Sequence, residues 1–280
     1  MLLIRQEMLV SQHQLLKNKR NMTHTFDERL VIDEEKQGNI IYNEHLIRYQ
    51  FASRLVQGKI VLDIACGSGY GSKMLAEAGA TKVIAMDASE LAINNAKKNF
   101  QNNNIEYKRG DATKIALEKN SVDLVVSMET IEHLSDVDGF LQELARIIKD
   151  EGIVLISTPN KVVSKNKNSF HFQEFTKEEF ENVLKEYFQY YKIIDQYNGI
   201  ASYLKINDSK EAEIVMTNQV EPVFFLAICS KAELPILFVK DIVSLNPLAL
   251  NNLYNNKGFK IVNKIYSFLI KIPGMKKLFR

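Results

Sequence analysis

Two groups of side chains in this 280-residue chain are spaced to do chemistry. In the first, Val61–Ser72 reads VLDIACGSGYGS, where an apolar run ends in Asp63 and passes into Gly67, Gly69 and Gly71. Glycines at a strand-to-helix turn permit positive φ and let a ligand lie against bare backbone. A dinucleotide fingerprint would continue G-x-G-x-x-G. Here the third position after Gly69 is Ser72, and a carboxylate at Asp63 would repel a pyrophosphate while suiting an ammonium group. Asp87 and Asp111 follow the next two apolar runs, so three acids stand in register with one glycine turn. Singly, each reads as a helix cap or turn residue; together they describe a ligand with several donors.

The second group is Glu129-x-x-Glu132-His133. On a helix, positions i, i+3 and i+4 share a face, so two carboxylates and an imidazole would point at one spot. The plainer reading is an exposed helix start whose acids suit the dipole, with His133 satisfied by a backbone group.

These residues need a frame, and the hydrophobic pattern supplies one. Strands are predicted at Ile60 to Ile64, Lys82 to Met86, Ile105 to Lys108, Val122 to Ser127 and Gly152 to Ser157. Helices are predicted at Asn43 to Val56, Gly69 to Ala78, Ser89 to Asn99, Val137 to Ile148 and Thr176 to Phe188. Alternation of this kind makes an α/β fold, a doubly wound, mostly parallel sheet with helices on both faces, which binds ligands beyond the carboxyl ends of its strands. Two later apolar runs, Tyr190 to Asp195 and Pro222 to Ser230, are expected to close the sheet as an antiparallel pair and bring it to seven strands. Residues 1–41 read as an N-terminal extension, 42–232 as the ligand-binding domain and 233–280 as a helical basic appendage. From Lys257 to Arg280 the appendage has seven Lys or Arg, no acid, and interleaved apolar residues. It reads either as a helix packed on the domain or as one that meets a membrane surface or partner.

With 46% hydrophobic residues, the chain has ample material for a buried core. Its net charge of +2 does not advertise nucleic acid as a partner. Cys66 and Cys229 offer neither a disulfide framework nor zinc-ribbon spacing, which suits a reducing compartment. No signal-peptide pattern or membrane-length apolar run is present, so the expected location is cytoplasmic, with peripheral contact at the inner membrane face through the tail.

VLDIACGSGYG, VIAMDASELAINNA, GDA, VDLVVSMETIEHL and GIVLISTPN resemble, in order and spacing, the motifs of class I S-adenosylmethionine-dependent methyltransferases, over about Tyr42 to Ser230. The resemblance implies a Rossmann-like methyltransferase fold and S-adenosylmethionine as cofactor. By position it places Gly67 and Gly69 against the methionine portion with Asp63 near its ammonium, and Asp87 on the ribose hydroxyls, with Ala65 and Ala88 also among the cofactor-binding residues. Asp111 and Ala112 fall at the adenine, with Met128 flanking the ring. Ala65 departs from the usual D-x-G-x-G-x-G, where a glycine stands. Arg48, or Tyr49 beside it, is a candidate for the methionine carboxylate.

The E-x-x-E-H segment is similar to that of ubiquinone-pathway O-methyltransferases. His171-Phe172-Gln173-Glu174-Phe175-Thr176 resembles the segment with which small-RNA 3′-terminal 2′-O-methyltransferases complete a divalent metal site. That resemblance implies Glu129, Glu132, His133 and His171 as ligands of a divalent ion such as Mn, Mg or Zn, leaving two octahedral positions for substrate hydroxyls. It also implies catalytic roles for His133, His171 and Glu129, with a histidine as general base if no metal is held. The expected reaction is methyl transfer to a hydroxyl oxygen of a small-molecule, lipid-linked or glycan acceptor. Two other readings stand beside it: methylation of an RNA 3′ end, and a non-catalytic S-adenosylmethionine-binding scaffold.

Overall fold

A computed structural model describes residues 40–198, 201–205, 221–234 and 242–245. The described residues all belong to one compact unit, Ile32–Arg280. The N-terminal extension before the helix at 40 and the basic tail from 257 lie outside the described residues.

This unit is built on one nine-stranded sheet. Its strands are β1 (Ile60–Ile64), β2 (Lys82–Asp87), β3 (Ile105–Arg109), β4 (Val122–Ser127), β5 (Ile148–Pro159), β6 (Tyr190–Tyr197), β7 (Ala201–Lys205), β8 (Phe224–Ser230) and β9 (Ile242–Leu245). They lie in the order β3-β2-β1-β4-β5-β8-β6-β7-β9. The first five run parallel and the last four join antiparallel. Seven of them form the doubly wound sheet the pattern predicts, closed by the antiparallel pair β8 and β6. β7 and β9 extend its edge, and β9 places residues 242–245 of the basic appendage in that sheet.

The helices are α1 (Ile40–Ser53), α2 (Tyr70–Glu77), α3 (Glu90–Asn99), α4 (Val137–Ile147), α5 (Lys161–Ser164) and α6 (Lys177–Leu184). α4 shows why they form where they do. Asp136 caps it by accepting from the Gly139 N–H, and Val137, Phe140, Leu141, Leu144 and Ile147 recur on one face and are buried. That stripe packs with Leu62, Val125 and Val154 of the sheet in the main core. α3 starts at its Ser89 cap, and α6 at a capping box in which Thr176 and Glu179 satisfy each other's backbone N–H.

β1 and β4 are neighbours in register, Asp63 opposite Val126, so the glycine turn after β1 and the acids after β4 emerge side by side. No helix among the described residues is long and apolar enough to cross a membrane.

Candidate active site

Beyond Ile64 the chain turns sharply. Ala65, Gly67 and Gly69 all have left-handed φ, 58°, 55° and 88°. Alanine tolerates this conformation at a cost, and it stands where the resembling motif has its first glycine. A Cβ on Gly67 would meet nothing within 4 Å, whereas one on Gly69 would lie 2.6 Å from the Ala96 Cβ. Open space therefore faces the backbone at Gly67, and Gly69 lets α2 pack on α3.

Asp87 anchors this turn. Its carboxylate accepts from the Gly67 N–H at 2.9 Å and the Ser89 N–H at 2.8 Å. One buried acid at the end of β2 thereby fixes the ligand-facing turn and the start of α3 together. Ala88 is exposed next to it, and its carbonyl accepts from Arg109 Nε at 3.2 Å. Asp111 is exposed in a tight turn, accepting from the backbone and hydroxyl of Thr113 at 2.8 Å each. Those bonds hold its carboxyl below the usual range. Ala112 is half-buried beside it, and Met128 is buried at the end of β4.

Asp63 is fully buried and accepts from the Tyr49 hydroxyl at 3.0 Å and the Ser72 hydroxyl at 2.6 Å. Burial pushes its pKa up to about 7, against the pull of those two bonds and with a further push from the charge of Asp87. Gly71 is explained by the same arrangement: a Cβ there would overlap the Tyr49 ring. Tyr49 thus pins α1 onto the turn through Asp63, a role the sequence does not signal.

Arg48 lies apart from Tyr49. Its guanidinium is buried, donates to Gln196 Oε1 at 3.0 Å, lies 4.6 Å over the Phe224 ring and pairs with Glu129 at 3.9 Å. Its Nε and second terminal nitrogen make no hydrogen bond. It faces the acids that follow β4, joined there by Glu44, whose pKa burial raises to about 7.

After β4 the structure departs from the predicted helix. Glu129 adopts left-handed φ, 52°, and only a 3-10 turn, Ile131–His133, follows. The helical spacing that would place Glu129 above Glu132 and His133 is absent. Glu129 is instead clasped by Ser157, whose hydroxyl donates to its carboxylate at 2.8 Å and accepts its N–H at 3.0 Å.

Glu132, His133 and His171 do converge, each offering a ligand atom within 4.8 Å of the others. The Glu132 carboxyl is buried, and neither oxygen makes a hydrogen bond. Thr158 lies close enough to influence it, its own hydroxyl likewise without a hydrogen-bond partner. Burial first, then the charge of Glu129, pushes its pKa well above the carboxylate range, against the pull of Thr158 and Arg48.

The tautomers of both imidazoles follow from their partners. His133 Nδ1 faces the Phe170 carbonyl at 3.2 Å, an acceptor only, so Nδ1 carries the proton and Nε2 presents a lone pair 4.0 Å from Glu132. His171 Nδ1 meets the Glu174 carboxylate at 2.7 Å, so its Nε2 is also an acceptor, engaged by the Asn168 amide at 2.9 Å. Glu174 is itself buried and takes the Ser164 hydroxyl and the Asn166 N–H, the latter at 2.9 Å. A carboxylate behind a ligating histidine is a common way to fix its orientation. One buried carboxylate without hydrogen bonds and two imidazoles are donor types that suit a divalent transition ion, with the Asn168 amide having to yield His171 Nε2 for it to ligate.

Of the four expected ligands, the structure brings together three; Glu129 stands with Ser157 and Arg48. Sequence reasoning missed Ser157, Gln196 and Glu174. Only Glu174 carried a signal, as the acid three residues after His171.

Comparison with known proteins bears on the fold and the family. Residues 62–156 match the family described as a methyltransferase domain. An S-adenosylmethionine-dependent methyltransferase of Mycobacterium tuberculosis is 31% identical over 162 residues, which cover 56% of this chain and 58% of that protein. The ubiquinone biosynthesis O-methyltransferase of Bartonella tribocorum is 35% identical over 36% of this chain and 41% of its own length. The chain thus spans less than two thirds of the length of the curated relatives it matches. Among solved structures, an S-adenosylmethionine-dependent methyltransferase from Thermotoga maritima superposes with a TM-score of 0.53 at 17% identity, over 71% of this chain and 94% of that one. A chain from the complex of the Haloferax volcanii Trm112 methyltransferase activator with a methyltransferase also scores 0.53, at 18% identity over the same shares. These two share the fold.

Proposed function

We propose that the chain is an S-adenosylmethionine-dependent methyltransferase, as the methyltransferase-domain match over residues 62–156 supports, and that it transfers the donor's methyl group to a hydroxyl oxygen of a small-molecule, lipid-linked or glycan acceptor. The convergence of Glu132, His133 and His171 at the strand end beside the glycine turn carries this reading. The O-methyltransferase name of one partial relative supports it.

S-adenosylmethionine supplies an electrophilic methyl on a sulfonium. The residues that would hold it are Gly67, with open space over its backbone, and Asp87, which fixes that turn; Asp111 lies beyond β3 on the same edge. A divalent ion held by Glu132 and the two Nε2 atoms would lower the pKa of an acceptor hydroxyl. In the metal-free site the acceptor hydroxyl gives its proton to His133 Nε2, and its oxygen bonds to the methyl carbon as the carbon–sulfur bond breaks, releasing S-adenosylhomocysteine. Where Nε2 serves as a ligand, Glu129 is the nearby carboxylate left to take the proton. Ser157 holds Glu129 against Arg48 for that purpose. Glu132 is itself fully buried, which strengthens the interactions it makes.

The test is the chemistry of the product. Purified protein is incubated with methyl-labelled S-adenosylmethionine and a lipid and metabolite extract. Label in a methyl ether that survives alkali supports oxygen methylation of a hydroxyl; label in an alkali-labile ester or on nitrogen contradicts it.

A further inference from the structure

We propose that the segment from Lys161 to Phe172 is an interfacial anchor that docks the site on an anionic lipid bilayer. Five large apolar side chains are exposed among the described residues, and four of them lie here: Phe172 at 72%, Phe170 at 59%, Val162 at 52% and Val163 at 37%. Clustered exposure of this kind is costly in water and marks an interaction surface.

Charge complementarity selects the occupant. Lys161, Lys165 and Lys167 punctuate the same stretch, and residues 161–173 contain no Asp or Glu. Lys161 pairs with Glu179 at 2.9 Å, leaving Lys165 and Lys167 as the exposed cations beside the aromatic pair. Aromatic and aliphatic tips between lysines match a surface where headgroups are negative and acyl chains lie just beneath.

The segment is held in shape. Buried Glu174 takes the Ser164 hydroxyl and the Asn166 N–H, Asn168 takes the Phe170 N–H at 3.0 Å, and the Phe172 N–H donates to the Glu132 carbonyl at 2.8 Å. Both phenylalanines are thereby exposed while His171 between them stays mostly covered, its side chain 11% exposed, against His133. Docking by the phenylalanines sets the two histidines at the headgroup level. This extends the proposed acceptor chemistry to one presented at a membrane and rests on that reading only for the acceptor; the docking itself stands on the surface.

Co-sedimentation of the full chain with phosphatidylcholine vesicles, with and without phosphatidylglycerol, tests it. The basic tail is present in every sample, so differences between variants report on the loop. The chain should bind the anionic vesicles selectively. F170S with F172S should weaken that binding at least about tenfold, and K165E with K167E at least about fivefold per lysine. Affinity for S-adenosylmethionine should stay within about twofold in all variants, as a check that the fold is intact. Loop variants that fold and bind anionic vesicles like the parent overturn the proposal. So does a parent chain that ignores vesicles, or one that captures single-stranded RNA through these lysines in place of them. Absence of a methyl ether product would sink the acceptor reading and leave the vesicle result standing.

Discussion

The Tyr49 hydroxyl donates to the Asp63 carboxylate across 3.0 Å, joining the helix before the sheet to the end of the first strand. Gly71 has no side chain because that ring occupies the space one would fill. Three residues far apart in role, an aromatic, an acid and a glycine, thus form one joint beneath the ligand turn.

Breaking the joint should cost both stability and cofactor affinity. Gly71→Ala forces the Tyr49 ring aside and is expected to destabilise by about 1–3 kcal/mol. Tyr49→Phe keeps the ring and removes one bond to a buried acid, costing about 1–2 kcal/mol. Thermal melts and calorimetric titration with S-adenosylmethionine check both. A Gly71→Ala protein that melts and binds like the parent would mean the ring does not hold this position.

Asp63 also imposes a pH dependence. Its native pKa of about 7 lies above the value of an unfolded aspartate, 3.8. The unfolded chain therefore ionises first as pH rises, and stability contributed by protonated Asp63 is full below about 4 and lost by about 7. Glu44, also raised to about 7, acts in the same direction. Asp63→Asn removes the Asp63 share, so the stability difference between variant and parent should move in the variant's favour from pH 5 to pH 8 in urea titrations. A difference that stays flat would place the native pKa of Asp63 near the ordinary range.

Metal titrations would distinguish the roles of the acids that follow β4. Glu132→Gln and His171→Ala should abolish calorimetric binding of Mn²⁺ or Zn²⁺. Glu174→Gln, which leaves His171 in place but loosens its orientation, should weaken binding about 10–100-fold. Glu129→Gln should change it little, because Glu129 is turned toward Ser157 and Arg48. Loss of binding in Glu129→Gln as severe as in Glu132→Gln would show that Glu129 swings in as a ligand.

Ser157→Ala strips Glu129 of both its bonds at once, and Glu129 already holds a left-handed backbone. We expect a loss of about 1–3 kcal/mol in chemical denaturation. A fall in turnover should accompany it, with the affinity for S-adenosylmethionine retained.

The frame was legible because its signals are local. Alternating strands and helices, the Ser89 and Asp136 caps and the apolar stripe of α4 each follow from a few neighbouring residues. The glycine turn was legible for the same reason. Glu129 was not: glutamate gives no hint of a positive φ, so helical spacing was the natural expectation, and the 3-10 turn replaced it. Tyr49 on Asp63 and Gln196 on Arg48 join residues 14 and 148 positions apart, contacts that only the folded sheet creates. β7 and β9 lie in stretches whose composition says least, and their pairing is set by the edge they extend.

In the proposed function, His133 and His171 act on the acceptor while the glycine turn holds the donor. The most direct test is a His133→Ala, His171→Ala double variant assayed at saturating S-adenosylmethionine. We predict donor affinity within about twofold of the parent and methyl transfer lowered by at least about a hundredfold. Turnover retained at the parent's rate in that variant would contradict the account.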